Sequence, residues 1–271
     1  MKPLMTPVRP WRTIILTVAS LLPAVAACPD TVIEDMPAPE ARQAVAVDAD
    51  AVYAIDSRSI GKYDKRTGKR IRQWVGPEDG PIQHLNSGVV IKGRLYCAHS
   101  NYPNQPMTSS IEIWDADSLE HVGNHSFGIL AGSATWVDFH DDYWWVVFAN
   151  YDTHGGSPGK GPEWTTLVQF DNEWRHRAAW VLPQTLVDEF SPYSASGGAW
   201  GPDGYLYLTG HDATAIFRMS LPAAGSMLEL RERIAVPIEG QGIAWDRSTD
   251  IPRLYGLRRS SRTVVVMEPD L

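Results

Sequence analysis

The chain has 271 residues, of which 44% are hydrophobic, and it carries 24 basic and 32 acidic side chains, a formal net charge of −8. This excess of negative charge argues against nucleic acid and anionic membrane surfaces as partners, because both repel an acidic protein. The apolar content, with eleven tryptophans, is enough for a large core, and all-β chains of this length often form one domain, which is what we expect here.

The first 27 residues have the pattern of an export signal. Three basic residues precede the apolar run TIILTVASLLPAVAA at 13–27, which is too short to span a bilayer comfortably. The letters VAAC at 25–28 resemble a bacterial lipobox, whereas AVA at 24–26 suits ordinary signal peptidase. We therefore predict export to the periplasm or the cell envelope, and we favour lipidation of Cys28 over simple cleavage.

From residue 44 onward the sequence repeats one pattern five times. Small residues precede an apolar strand, a polar turn, a second apolar strand and a polar tail, as in SGGAWGPDGYLYLTGHD at 196–212. A third β-like run follows in each unit. The second strands recur every 43 to 62 residues, at Val52, Leu95, Trp144, Leu206 and Leu254. We predict an all-β fold over 44–271, a five-bladed β-propeller of four-stranded antiparallel blades.

The two ends of the repeat region predict how the ring closes. The fifth unit ends in TVVVMEPDL at 263–271 and leaves no residues for its outermost strand, whereas the strand-like TVIEDM at 31–36 has no unit of its own. We expect residues 28–43 to be a linker and closing strand that completes the last blade and covers its edge. The alternative is that 30–43 forms a disordered stalk.

The order of the strands sorts the loops between the two faces of the ring. Strands of a propeller blade run outward from the central channel, so the segments before the first strands share a face with the turns after the second strands. The former are short and rich in glycine, which lets the backbone approach a ligand closely. The latter carry His, Asn, Asp and Arg side chains. We therefore predict one functional channel mouth on this face.

Acid–base chemistry at this mouth would come from imidazole and carboxylate groups that perturb one another near neutral pH. The predicted catalytic residues are His211, Asp212 and His99. The predicted ligand-binding residues are Asn101, Asn150, Asp152, Ser196, Glu239, Gln241 and Arg258. Arg258 is expected to bind an anionic part of a ligand through paired hydrogen bonds.

Two features of these candidates leave alternatives open. Asn150 and Asp212 follow second strands, where Asx side chains often cap turns through bonds to the backbone. His211 and Asp212 are adjacent, and adjacent strand residues point in opposite directions, so only one of them faces the channel unless the turn rotates both.

Sequence motifs for cofactors are absent from the chain. It contains no GxSxG, HExxH, CxxC, glycine-rich phosphate loop or EF-hand loop. Histidine and aspartate on one face are able to bind zinc, but their spacing here is not specific for a metal. We predict no cofactor, with a divalent metal as the alternative.

The repeated units resemble those of known exported propellers. SGGAWGPDGYLYLTGHD at 196–212, and EGQGIAWDRS with LYGLRRS within 239–260, look like units of exported bacterial YWTD, NHL and gluconolactonase-like propellers, including a group often labelled cycloisomerase. The similarity covers about 44–271 and implies the propeller fold. In the gluconolactonase-like propellers, acidic and Asn residues at the starts of inner strands bind a divalent metal. The matching starts here are Ser87, Gly132, Ser196 and Gln241, so lactonase activity is not carried over.

Two functions of different classes follow. The first is an exported propeller that binds a small polar, carbohydrate- or lactone-like ligand at one channel mouth, with hydrolase or isomerase activity left undecided. The second is a non-catalytic scaffold or protein-interaction propeller, whose partner is another envelope protein and which reaches the membrane only through an N-terminal lipid. The first predicts a deep polar pocket that unites several blades, and the second predicts a flat or sealed face.

Overall fold

The computed structural model describes residues 31–129, 131–152 and 155–269. The leader and Cys28, on which export and lipidation were predicted, lie outside the described residues. The first strands in the chain are β1 (Thr31–Pro37), β2 (Ala44–Val47), β3 (Ala51–Asp56), β4 (Ser59–Asp64), β5 (Arg70–Val75), β6 (His84–Ile91), β7 (Arg94–Ser100), β8 (Ser109–Asp115), β9 (His121–Gly128) and β10 (Ser133–His140). The next are β11 (Tyr143–Ala149), β12 (Thr166–Phe170), β13 (His176–Val181), β14 (Gly197–Trp200), β15 (Leu206–Thr209), β16 (Ala215–Ser220), β17 (Glu229–Ala235), β18 (Ala244–Trp245), β19 (Leu254–Arg258) and β20 (Thr263–Glu268).

Two short helices interrupt this β-structure among the described residues: a 3-10 turn at Pro162–Trp164 and α1 at Gln184–Phe190. None of the helical segments described is long and apolar enough to cross a membrane.

The strands form five four-stranded antiparallel blades. In ring order the blades are β2–β5, β6–β9, β10–β13, β14–β17, and β18–β20 completed by β1. The first strands of neighbouring blades contact one another around the channel: β2 with β6, β6 with β10, β10 with β14, β14 with β18, and β18 with β2. The predicted five-bladed propeller is confirmed.

The ring is closed by β1, which pairs antiparallel with β20. Met36 lies opposite Val264, is only 4% exposed and packs into an apolar cluster with Val264 and Val266. The pairing covers the edge that β20 would otherwise expose. The predicted closing strand is therefore confirmed, and the alternative of a disordered stalk is wrong for residues 31–37.

A buried carboxylate fixes the chain between β1 and β2. Glu40 is 2% exposed and accepts hydrogen bonds from Arg70 at 2.9 Å, from Gln73 at 2.8 Å and from the Tyr63 hydroxyl. Burial, followed by the bond to Glu40, raises the pKa of Tyr63, so this hydroxyl remains a donor. Because Glu40 is held from three sides, the residues that follow it have a defined path toward the channel.

The core lies between blades as well as within them. Trp136, Trp200 and Trp245 lie in the first strands of three blades and are 1%, 5% and 5% exposed. Trp136 and Trp200 belong to one apolar cluster, and Trp245 belongs to the next one, which joins the fourth and fifth blades. These side chains pack neighbouring blades against one another. The loops that connect the strands are therefore supported by a rigid frame.

The closing strand offers a direct test of its contribution to stability. Met36→Ala removes a buried side chain and should lower the free energy of unfolding by ~2–5 kcal/mol. Ile33→Ala, in the same strand at a position that is 41% exposed, should change it by no more than about 0.5 kcal/mol. Urea denaturation of both variants measures the difference. Equal effects would contradict the closure described here.

Candidate functional site

A cavity of about 400 Å³ opens at one end of the central channel. We call it the mouth cavity. Residues from all five blades line it: Arg42, Gln43, Ser57, His84, Asn86, Tyr102, Pro103, Thr135, Tyr151, Tyr193, Ser196, His211, Gln241 and Arg259. Its volume falls within the ~300–1,000 Å³ typical of small-molecule sites.

The lining residues come from two kinds of segment. Some precede or begin first strands, as Gln43, Ser196 and Gln241 do, and others follow second strands, as His211 and Arg259 do. These are the two sets of loops that strand order places on one face. The propeller geometry therefore brings together residues that are distant in sequence.

His211 and Asp212 form a pair in which only the imidazole lines the cavity. His211 Nδ1 lies 2.6 Å from Asp212 Oδ2, and the ring stacks on Tyr193 with centroids 4.0 Å apart. A carboxylate only accepts hydrogen bonds, so the imidazole proton lies on Nδ1, and Nε2 is the nitrogen left for a ligand. Asp212 also accepts a bond from Arg259. The structure thus places His211 at the surface of the cavity and Asp212 behind it.

Of the two adjacent arginines at the end of β19, Arg259 lines the mouth cavity and Arg258 does not. Arg258 donates from Nε to the Pro237 carbonyl at 3.1 Å and from a terminal nitrogen to Asp35 at 2.6 Å. These bonds hold Arg258 against the closing strand. The side chains alternate at the end of β19, and Arg259 is therefore the residue that lines the cavity.

Ser196 and Gln241, two of the predicted ligand-binding residues, line the cavity. Gln241 has a φ of 68°, and its side-chain amide donates to the His211 carbonyl at 3.1 Å. Gly240 before it also has a positive φ, and a Cβ there would lie 2.4 Å from the Gly210 carbonyl oxygen. This close approach requires glycine and brings the fourth and fifth blades together at the mouth.

His99 is buried and is not among the lining residues. Its Nε2 accepts a bond from the Gln83 backbone N–H at 3.0 Å, and its Nδ1 lies 2.9 Å from Ser110 Oγ. Ser110 in turn donates to Glu112 at 2.6 Å, and Glu112 bonds to His121 at 2.7 Å. Burial lowers the pKa of His99. With both nitrogens occupied, His99 ties together the strands of the second blade instead of facing the mouth.

The remaining candidates hold loops. Asn101 bonds at both ends of its side chain within its own loop, to the Pro106 carbonyl at 2.9 Å and the Thr108 N–H at 2.8 Å. Asn150 donates to the Trp164 carbonyl at 3.2 Å, and Glu239 accepts from the Ser260 N–H at 2.8 Å. These contacts match the capping role noted as the alternative for Asn150.

Asp152 is exposed and lies outside the mouth cavity. It borders a separate surface depression with the Gly/Pro-rich segment 156–161. The structure therefore does not bring Asp152 together with His211.

Eleven of the fourteen lining residues were not predicted, and three of these eleven are tyrosines. Tyr102, Tyr151 and Tyr193 face the cavity, with Tyr102 and Tyr151 in edge contact at 5.7 Å. Tyr102 and Tyr151 directly follow Asn101 and Asn150, the polar residues that come after two of the second strands. Adding the next residue along the chain to the candidates would have identified both tyrosines. Tyr193 lies in the segment before the fourth blade, which has no equivalent in the shorter units.

His84 was also not predicted as a site residue. Its Nδ1 lies 3.1 Å from Ser57 Oγ, and its ring contacts Tyr102 with centroids 5.1 Å apart. Burial, followed by the positive charges of His99 and Arg42, lowers the pKa of His84 to about 4. At neutral pH it therefore serves the cavity as a neutral hydrogen-bonding group.

No group of three or more His, Cys, Asp or Glu side chains placed to hold a metal ion occurs within 31–129, 131–152 and 155–269. The side chains that line the mouth cavity carry amide, hydroxyl, imidazole and guanidinium groups.

The chain matches no protein-family model and no curated protein. Its fold is similar to that of the RRP9 WD40 repeats, with 9% identity over 83% of this chain and 79% of that chain and a TM-score of 0.46. It is also similar to a luciferin-regenerating enzyme, with 12% identity over 80% and 72% and a TM-score of 0.48. A third match is the hydrazine synthase of Kuenenia stuttgartiensis, with 12% identity over 81% and 68% and a TM-score of 0.46. These likenesses concern the β-propeller fold, and no activity or partner follows from them.

The low pKa of His84 predicts a pH dependence of stability. Between pH 6.5 and about 4 the unfolded chain binds a proton at His84 that the folded protein does not bind. The contribution of His84 to stability is therefore fully present above pH 6.5 and is lost as the pH falls to about 4. His84→Gln should reduce this loss, measured by urea denaturation at pH 7.5 and 4.5. His176→Gln, at an exposed position of β13, should leave the loss as in the wild type. An unchanged loss in His84→Gln would show that His84 titrates normally.

Proposed function

We propose that this protein binds a small polar molecule in the mouth cavity. The observation that carries the proposal is the cavity itself, about 400 Å³ in volume and lined from all five blades. A propeller that serves only as a scaffold would have a flat or sealed face here. The rigid frame below the cavity favours binding, because little conformational entropy is lost when the ligand docks.

The polar lining suits a ligand with several hydroxyl or carbonyl groups. Gln43 and Ser57 lie on the first blade, Thr135 on the third, and Ser196 and Gln241 on the fourth and fifth. Amides offer both donors and acceptors, and hydroxyls can do either, so together they match carbohydrate- or lactone-like molecules. The resemblance to gluconolactonase-like propellers supports the same class of ligand.

A second candidate function is catalysis by His211, as a hydrolase or an isomerase. Asp212 orients the imidazole, which leaves Nε2 to accept a proton from water or from the ligand. In a hydrolysis step, the water oxygen would bond to a carbonyl carbon while its proton moves to Nε2. The imidazolium would then return the proton to the leaving oxygen as the bond to that oxygen breaks.

The site would act outside the cytoplasm. This part of the proposal is supported by the export pattern of residues 1–27 and is tested by the cellular fraction in which the protein is found.

A thermal-shift screen of the full-length protein against sugars, sugar acids, lactones and divalent metals tests the proposed binding. We expect at least one small polar compound to raise the melting temperature. His211→Ala and Asp212→Asn should weaken its binding about tenfold, the value of one strong hydrogen bond, and should leave the melting temperature of the free protein within a few degrees. His176→Ala is the matched control and should bind as the wild type does.

Two results would contradict the proposal. One is that no compound stabilises the protein and that an envelope protein binds across this face, which would favour the scaffold function. The other is that a bound compound keeps its affinity in both variants, which would place binding outside the mouth cavity.

A further inference from the structure

We infer that the ligand of the mouth cavity is a small anion, a carboxylate joined to a ring, whose charged end lies against Arg42 and Arg259 and whose ring lies against the tyrosines. The inference rests on the proposed function and adds the class of ligand to it.

The first argument is the charge of the lining. Although the chain has 32 acidic and 24 basic residues, the lining residues include two arginines and no aspartate or glutamate among those described. A cavity of one sign inside a protein of the opposite net charge concentrates counter-charged ligands and repels others. The mouth cavity is therefore suited to anions.

Arg42 carries the charge that is left uncompensated. Its backbone is held by a bond to the Glu40 carbonyl at 2.8 Å, next to the anchored Glu40 side chain. Its guanidinium makes no ion pair or hydrogen bond with any residue that the structure describes. The backbone of Arg42 is thus held in place, and its side chain is exposed to solvent where it lines the cavity.

Arg259 offers a buried donor to the same ligand. One terminal nitrogen bonds to Asp212, whereas Nε is buried and has no hydrogen-bond partner among the described residues. A buried N–H group without an acceptor is unfavourable. A carboxylate at the cavity wall would supply the acceptor, and guanidinium groups bind carboxylates well because their N–H groups match both oxygens.

The carboxylates near the cavity already have partners of their own. Asp212 compensates Arg259 and orients His211. His84 is neutral at pH 7, because its pKa is about 4. The nearby carboxylate of Asp56 is already paired with Arg262 at 3.0 Å. Glu239 accepts bonds from Ser260, and these bonds, together with the charge of Arg259, lower the pKa of its carboxyl. None of these carboxylates lines the cavity, whereas Arg42 and Arg259 do.

The aromatic side chains of the cavity come from other blades than the arginines do. Arg42 and Arg259 come from the first and fifth blades, which are neighbours because β18 contacts β2. Tyr102 and Tyr151 come from the second and third blades, and Tyr193 precedes the fourth. Tyrosine rings pack against flat or cyclic groups and bond to their substituents through the hydroxyl. The cavity therefore offers cations from two neighbouring blades and rings from the other three.

Isothermal titration calorimetry of the full-length protein with two matched pairs of probes tests the inference. The pairs are 4-hydroxybenzoate with 4-hydroxybenzamide, and D-galacturonate with D-galactose; the first acid is aromatic and the second is a sugar acid. In at least one pair the acid should bind about tenfold or more tightly than its neutral partner. Added salt should lower the binding affinity of the acid more than that of the neutral compound. The pair that shows this preference identifies the kind of ring.

Variants of the two arginines then test where the carboxylate of the ligand binds. Arg42→Gln and Arg259→Gln should each abolish most of the preference for the acid, and Arg42→Lys should retain part of it because the charge remains. Arg72→Gln, an exposed arginine on the outer strand β5, is the matched control and should leave the preference unchanged. Circular dichroism melts confirm that the variants fold.

The possible failures are distinguishable. Neutral probes that bind as tightly as the acids, with affinity lost in His211→Ala, would overturn the anionic ligand and leave the proposed function in place. Acids that bind equally to wild type, Arg42→Gln and Arg259→Gln would overturn the assignment of the charged end. Absence of binding by all four probes and by the thermal-shift panel would overturn both the inference and the proposed function.

Discussion

The pairing of β1 with β20 is the interaction on which the rest of the structure depends. A propeller is stable when every blade has two neighbours, and here the last blade is completed by β1 (Thr31–Pro37). The same pairing places the chain so that Glu40 is buried and Arg42 and Gln43 reach the channel. The geometry of the site therefore depends on ring closure, because the strand that closes the ring leads directly into residues that line the mouth cavity.

The fold could be predicted from the sequence because its determinants are local and repeated. Each unit contains a turn between two apolar strands, and five such units with an incomplete last one specify both the number of blades and the need for a closing strand. The face of the site was also predictable, since strand order alone sorts the loops. Ser196, His211 and Gln241 follow from that reasoning and line the cavity.

Which of the candidate residues line the cavity depends on side-chain contacts that cannot be read from a repeat pattern. Arg259 lines the cavity in place of Arg258 because the bonds of Arg258 to Pro237 and Asp35 turn it toward the closing strand. His99 is withdrawn by its bonds within the second blade. Such choices are made by partners on other strands and loops that are distant in the sequence. They become visible only when the blades are assembled.

The central claim is that the mouth cavity is the ligand site. Fluorine NMR of protein containing 3-fluorotyrosine tests it most directly, because three of the ten tyrosines line the cavity. On titration with 4-hydroxybenzoate or D-galacturonate, the signals of Tyr102, Tyr151 and Tyr193, assigned by Tyr→Phe variants, should shift together and saturate at the calorimetric affinity. The signals of the other tyrosines, such as the buried Tyr53 near the opposite face, should stay in place. Shifts confined to those other tyrosines would contradict the account.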